Sequence, residues 1–143
     1  MTEAVATPTP EATGRVGGIV WTLRVTAVVN LILVIAQPVW IGLYASGFVG
    51  FEQVHSMLAG LIGVAALVLL IASVLAWKPG GGGPLAFRVS LAFFVFIIIQ
   101  TFAGVAHVFA LHFPIGVLMA IGALQLNTMA WKLRLPAKKT GGA

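Results

Sequence analysis

Residues 54–77 read VHSMLAGLIGVAALVLLIASVLAW, and residues 78–84, directly after them, read KPGGGGP. The first segment holds no Asp, Glu, Lys or Arg, and it exceeds the ~20 apolar residues a helix needs to cross a ~30 Å hydrocarbon core. The second sets two prolines around four glycines and cannot continue a helix. Together they read as one membrane-spanning helix and the turn that ends it. Working outward, three more stretches of the same kind appear, over residues 19–45, 85–109 and 111–131. Lipid offers no partner to an unpaired backbone, so each is expected to be helical; a barrel would need about eight or more alternating strands. The expected fold is all-α, an integral membrane four-helix bundle over residues 18–132 running up-down-up-down. The short joint between the last two stretches predicts a tight antiparallel hairpin.

Composition agrees with a lipid solvent. The chain is 60% hydrophobic and 8% charged, with a mean hydropathy of +1.10, whereas a soluble domain carries roughly 25% charge. There is no cysteine, which removes disulfides, thiolate metal sites and thiol nucleophiles together. Residues 1–17 are rich in Thr, Pro, Ala and Gly and hold Glu3 and Glu11; too little apolar surface is present to offset ordering, so a disordered tail is expected. Its pattern does not suit a signal peptide. Residues 133–143 form a basic tail, in which Lys138 and Lys139 are expected to meet anionic headgroups at about 1 kcal/mol each.

Arg15 and Arg24 flank the first stretch, Lys78 and Arg88 flank the glycine linker, and Lys132, Arg134, Lys138 and Lys139 follow the last stretch. An alternating bundle puts all eight on one side, which the positive-inside rule makes cytoplasmic, with both termini there. The net charge of +5 is thus a topology signal rather than a nucleic-acid footprint, and no nucleic-acid partner is expected. The excess of Ala, Gly and Val suggests a bacterial plasma membrane. Trp40 and Tyr44 at outer depth, and Trp21, Trp77 and Trp131 at inner depth, sit where interfacial aromatics are expected.

The same topology sorts the polar residues by depth. His55, His107 and His112 gather in one outer layer, with Glu52 just above His55. Below His55, at steps of four, come Ala59 and Gly63; below His112 come Gly116 and Ala120. Each imidazole therefore stands over a row of small residues on its own helix. Spans two and four are diagonal partners, farther apart than the ~8–10 Å of adjacent axes. A flat macrocycle fits such a slot, with the two histidines as axial ligands of haem b iron. Small residues spaced by four also serve ordinary helix packing, and a histidine near the interface also serves as a simple hydrogen-bonding group. Gln53, Gln100 and His107 are candidate supporting groups around the iron ligands, although His107 also reads as an ordinary interfacial residue. Asn30, Gln37, Gln125 and Asn127 read as interhelical hydrogen-bonding groups, as Gln100 also does, and Pro38 as a kink.

The run Glu52-Gln53-Val54-His55 with Leu58-Ala59-Gly60-Leu61-Ile62-Gly63 resembles the second helix of one half of a heme A synthase. Gln100-Thr101-Phe102-Ala103-Gly104 followed by His112 is similar to the third and fourth helices of that half. The resemblance covers residues 51–125 through short motifs. It implies a four-helix bundle with His55 and His112 on haem iron, and it matches Glu52 to the catalytic acid implicated in the oxidation of a haem methyl group. The family has two such halves in one chain and this chain one, so a homodimer is the arrangement that would restore both. Ser56 also stands where an arginine commonly follows the first histidine.

Three readings follow. The first is a small cytochrome b-like protein serving electron transfer, haem handling or support of a respiratory complex. The second is a cofactor-free accessory subunit of a larger membrane complex. The third is a quinone- or lipid-binding protein using Glu52 and His107.

Overall fold

The computed structural model describes residues 10–135. Among them four helices form and no strand: α1 (Pro10–Ala45), α2 (Phe51–Trp77), α3 (Leu85–Val105) and α4 (Phe109–Lys132). Each is long and apolar enough to cross a membrane, α1 over Gly17–Ala45. The tails at 1–9 and 136–143 lie outside the described residues. Helix α1 begins at Pro10 rather than after residue 17, so it extends into the expected tail. Proline at the first helical position gives up an N–H that would have had no partner and sets φ for the first turn. Propagation back from a long helix needs no new nucleus.

Helix α3 ends at Val105, short of the expected 109, because the chain turns left-handed there. His107 has φ 57°, a region in which His is less disfavoured than bulkier residues. Val108 N–H donates to Ala103 O at 2.9 Å and His107 N–H to Gly104 O at 3.0 Å, the pair of bonds that closes a helix around a left-handed residue. At the end of α2 the glycine linker does the same work. A side chain on Gly80 would lie 2.6 Å from Ala76 O, so only glycine allows the chain to fold back there, with Gly80 N–H donating to Leu75 O at 2.9 Å.

Helices α1, α2, α3 and α4 pack as a ring, each against its two neighbours, with α1 closing onto α4; the diagonal pairs do not touch along their backbones. The core runs along matching stripes: Ile62, Ala66, Leu69, Ser73 and Ala76 on α2 face Ile115, Met119, Ala123, Leu126 and Ala130 on α4. Spacings of three and four keep one stripe inward while the remaining apolar surface faces lipid. Polar side chains on these helices mostly turn back onto their own backbone, as Thr22, Thr26, Thr101 and Thr128 do to the carbonyl four residues earlier. In lipid that satisfies the hydroxyl without a partner helix.

The two ends of the bundle differ. Where α1 begins and α4 ends, Trp21 meets Trp131 edge-on at 6.2 Å, and Arg24 lies over both rings while its guanidinium reaches Ala130 O and Trp131 O at 3.4 and 3.5 Å. The cation both satisfies the last carbonyls of α4 and suits the negative end of its dipole. At the other end, where the α1–α2 and α3–α4 turns lie, His55 and His112 come together; we call it the histidine end. Between the two, the core is narrow: Ala66 is 1% exposed and Ala123 fully buried. Ala123→Leu is therefore expected to destabilise the bundle by about 1–3 kcal/mol through overpacking, read as a lower midpoint in detergent-titration unfolding. An unchanged midpoint would mean the core has slack at this level.

Candidate haem site at the histidine end

One residue from each helix makes a buried layer: Val34, Ile62, Ile97 and Met119. Toward the histidine end this layer is the floor of a cavity of about 450 Å³, within the size range of small-molecule and cofactor sites. Ala59, Gly116 and Ala120 line its walls, as do Gln37 and Pro38 from α1 and Gln100 and Thr101 from α3. Pro38 brings no N–H, so the Val34 carbonyl loses its intrahelical donor at the level of the floor.

His55 and His112 both line this cavity, with ring centres 6.2 Å apart and planes inclined at 63°. A metal bonded from opposite sides by two imidazoles, through bonds of about 2 Å, holds the ring centres about 6 Å apart. Their separation thus suits a shared ion better than a direct hydrogen bond.

The outer nitrogens decide what the inner ones can do. Nδ1 of His112 lies 3.0 Å from Gln100 O. A carbonyl only accepts, so Nδ1 carries the proton and Nε2 keeps a free lone pair, the usual arrangement of a metal-binding histidine. This approach depends on Gly104, four residues beyond Gln100. A Cβ there would lie 2.8 Å from Cε1 and 3.0 Å from Nδ1 of His112, so the imidazole occupies the space a side chain would fill. The Gln100 side chain folds down the wall, its Nε2 3.1 Å from where a Cβ on Gly116 would stand and its Oε1 buried without a partner.

His55 is held differently. Its Nδ1 faces Gln37 O at 3.4 Å, and the Gln37 side-chain amide sits beside the same nitrogen. With that amide turned to suit the α2 backbone, its oxygen accepts from Ala59 N–H at 3.0 Å and its NH₂ faces His55 O and Nδ1. Nδ1 therefore has an acceptor and a donor within reach, and either tautomer of His55 finds a partner. In the tautomer whose Nε2 is free for a metal, Nδ1–H would donate to the Gln37 carbonyl.

The remaining sequence candidates are not brought to this point. Gly63 has open space around it and does not line the cavity; Ile62 takes its place. Ala120, at the same spacing of eight from His112, does line the cavity, so the facing of α2 within the bundle rather than the spacing excludes Gly63. Glu52 and Gln53 are exposed in the first turn of α2 and do not line the cavity. Glu52 there suits the positive end of the helix dipole. His107 is exposed in the α3–α4 turn, edge-on to Phe109 at 5.7 Å. Gln37, read from the sequence as an interhelical hydrogen-bonding group, is one, its carbonyl and amide facing His55 on α2; nothing local in the sequence marked His55 as the partner.

Among the described residues no three His, Cys, Asp or Glu side chains gather around a metal position. Of these ligand types a bare ion would find only the two histidines in the cavity. Haem needs only those two, because the porphyrin supplies the other four, and the donor set here fits it. No Lys or Arg lines the cavity, so haem carboxylates gain no ion pair from its wall, and retention would rest on the two iron–imidazole bonds and apolar contact.

No family, curated protein or solved structure matches this chain. The case for the site rests on its own residues.

Proposed function

We propose that this chain is a small membrane cytochrome that holds haem b between His55 and His112. The observation that carries the reading is the pairing of two imidazoles at 6.2 Å across an apolar cavity, each with Nδ1 against a carbonyl of a neighbouring helix. The helices run up-down-up-down with both termini on the cytoplasmic side of a bacterial plasma membrane, and the histidine end faces outward. Support for this orientation comes from Arg24, Lys78, Arg88, Lys132 and Arg134, which lie at or near the other end of the spans.

Bound there, haem supplies one-electron chemistry at a six-coordinate iron. The residues of the chain orient and insulate it. Gln100 O holds the His112 ring and its tautomer, Gln37 O offers an acceptor to the His55 tautomer whose Nε2 is free, and the layer of Val34, Ile62, Ile97 and Met119 closes the cavity toward the far half of the bundle. Because His55 and His112 would both hold the iron, the role that fits is electron transfer or haem handling in support of a respiratory complex. Glu52 lies off the cavity, so the reading gives it no part in heme A synthase-like oxidation of the haem.

The test is an absorption spectrum of detergent-purified protein, oxidised and then dithionite-reduced. A sharp α-band of low-spin b haem at one haem per chain is expected. A flat visible spectrum after expression with added haem overturns the reading. It would favour an accessory subunit instead, for which Gly42 and Gly60, open toward lipid with nothing near them, are the kind of surface that packs against another helix.

A further inference from the structure

The cavity wall is not equally closed all round. Ile35 and Pro38 on α1, and Phe113 and Val117 on α4, line it and are nevertheless exposed, Ile35 and Phe113 to 57% and Val117 to 63%. Only Thr101, on α3, joins them. The four residues flank a single seam, that between α1 and α4. At the opposite end these helices are locked by Trp21 against Trp131 and by Arg24 on the last carbonyls of α4. Toward the histidine end, among the described residues, neither a side-chain hydrogen bond nor a ring pair joins α1 to α4. These lining residues belong to helices long and apolar enough to cross a membrane, and an opening within such a span would face acyl chains rather than water. At the aqueous end, Trp40 stacks on Phe51 and Phe109 on Phe113, which places aromatic rings beside both turns.

We propose that the α1–α4 seam is a lateral opening through which haem dissolved in the bilayer reaches His55 and His112. The proposal rests on the haem reading and adds the route and the physical form of the ligand. The seam offers only apolar side chains, and no charged group lines the cavity behind it. Such a passage suits the flat apolar faces of a porphyrin whose carboxylates stay toward the aqueous end, and it admits no hydrated ion, since an unpaired charge in an apolar wall is expensive. The polar groups begin only at the imidazoles and the two glutamines, so ligation is the step that ends the passage.

Because the chain has no cysteine, a single thiol can be placed at will. Val117→Cys puts one in the mouth. Leu118→Cys, at the neighbouring position, 56% exposed and off the cavity, is the control on another face of α4. Each folded, haem-free protein is modified with a bulky maleimide and mixed with ferric haem b in phosphatidylcholine vesicles, and the rise of the low-spin Soret band is followed. Modified Val117→Cys is expected to load roughly tenfold more slowly, about 1.4 kcal/mol on the barrier, while modified Leu118→Cys loads at the wild-type rate. Modification after loading should leave the spectrum of both intact, which separates a blocked passage from a damaged site. Equal loading by both modified proteins overturns the lateral route while leaving the haem site standing. Wild-type protein that takes up no haem overturns the site and the route together.

Discussion

His112→Ala is expected to abolish the low-spin haem spectrum while the protein stays in the membrane at its normal yield. The imidazole is half-exposed to the cavity rather than part of the packed stripe, and Ile115, Met119 and Ala123 carry the packing of α4. Removing it leaves an iron with at most one protein ligand, since no third donor gathers at the site among the described residues. His55→Ala should act alike, because neither ligand has a substitute within reach. His107→Ala is the informative companion: that ring sits in the turn and does not line the cavity, so its loss should leave the spectrum unchanged. Full haem absorbance in both His55→Ala and His112→Ala would refute the assignment of the ligands.

Gly104→Ala is the second large effect, and it comes from a residue that touches no haem. The added methyl would meet the His112 ring at 2.8 Å, closer than carbon atoms approach, and the ring is the part that can yield. Yielding breaks the 3.0 Å bond to Gln100 O, which fixes both the orientation and the tautomer of the ligand. Losses of such outer hydrogen bonds typically lower metal affinity by ~10–100-fold, and a loss in that range is expected in haem titrations. Helicity should be unchanged, since alanine suits a helix better than glycine. Gly60→Ala, where nothing lies within 4 Å, is the matched control and should bind haem as wild type does. Equal affinity for Gly104→Ala would mean that His112 does not need its seat against α3.

These two predictions differ in how far the sequence foretold them. The histidines were visible as the only imidazoles at matching depth on alternate spans. Gly104 stood in plain view within the run shared with the synthase-like motif, but nothing local marks it. Its role follows from the facing of α3 and α4, which brings the fourth residue after Gln100 under a ring eight residues farther along. Gln37 was hidden for the same reason, since its usefulness lies in the direction of its carbonyl relative to α2. Gly63 went the other way: a spacing of eight put it under His55 as it put Ala120 under His112, and only Ala120 lines the cavity, because the two helices present different faces to it.

What the sequence by itself determined was the solvent and the number of spans. A chain with 8% charge and four long apolar runs has to satisfy its backbone inside helices, and that constraint is local and needs no partner. The position of the breaks was nearly as legible, because proline and glycine act on their own neighbours; the exception, the end of α3, turned on a left-handed histidine whose φ no composition reveals. Only the tertiary structure decided which helix faces meet, that the diagonal histidines approach to 6.2 Å, and that α1 and α4 are tied by Arg24 at one end while exposed residues of both line the cavity at the other. In lipid the apolar faces of a helix are nearly equivalent, so hydrophobic pattern does not choose among them. The choice falls to close packing and to a few directional bonds, and those exist only once the helices have come together.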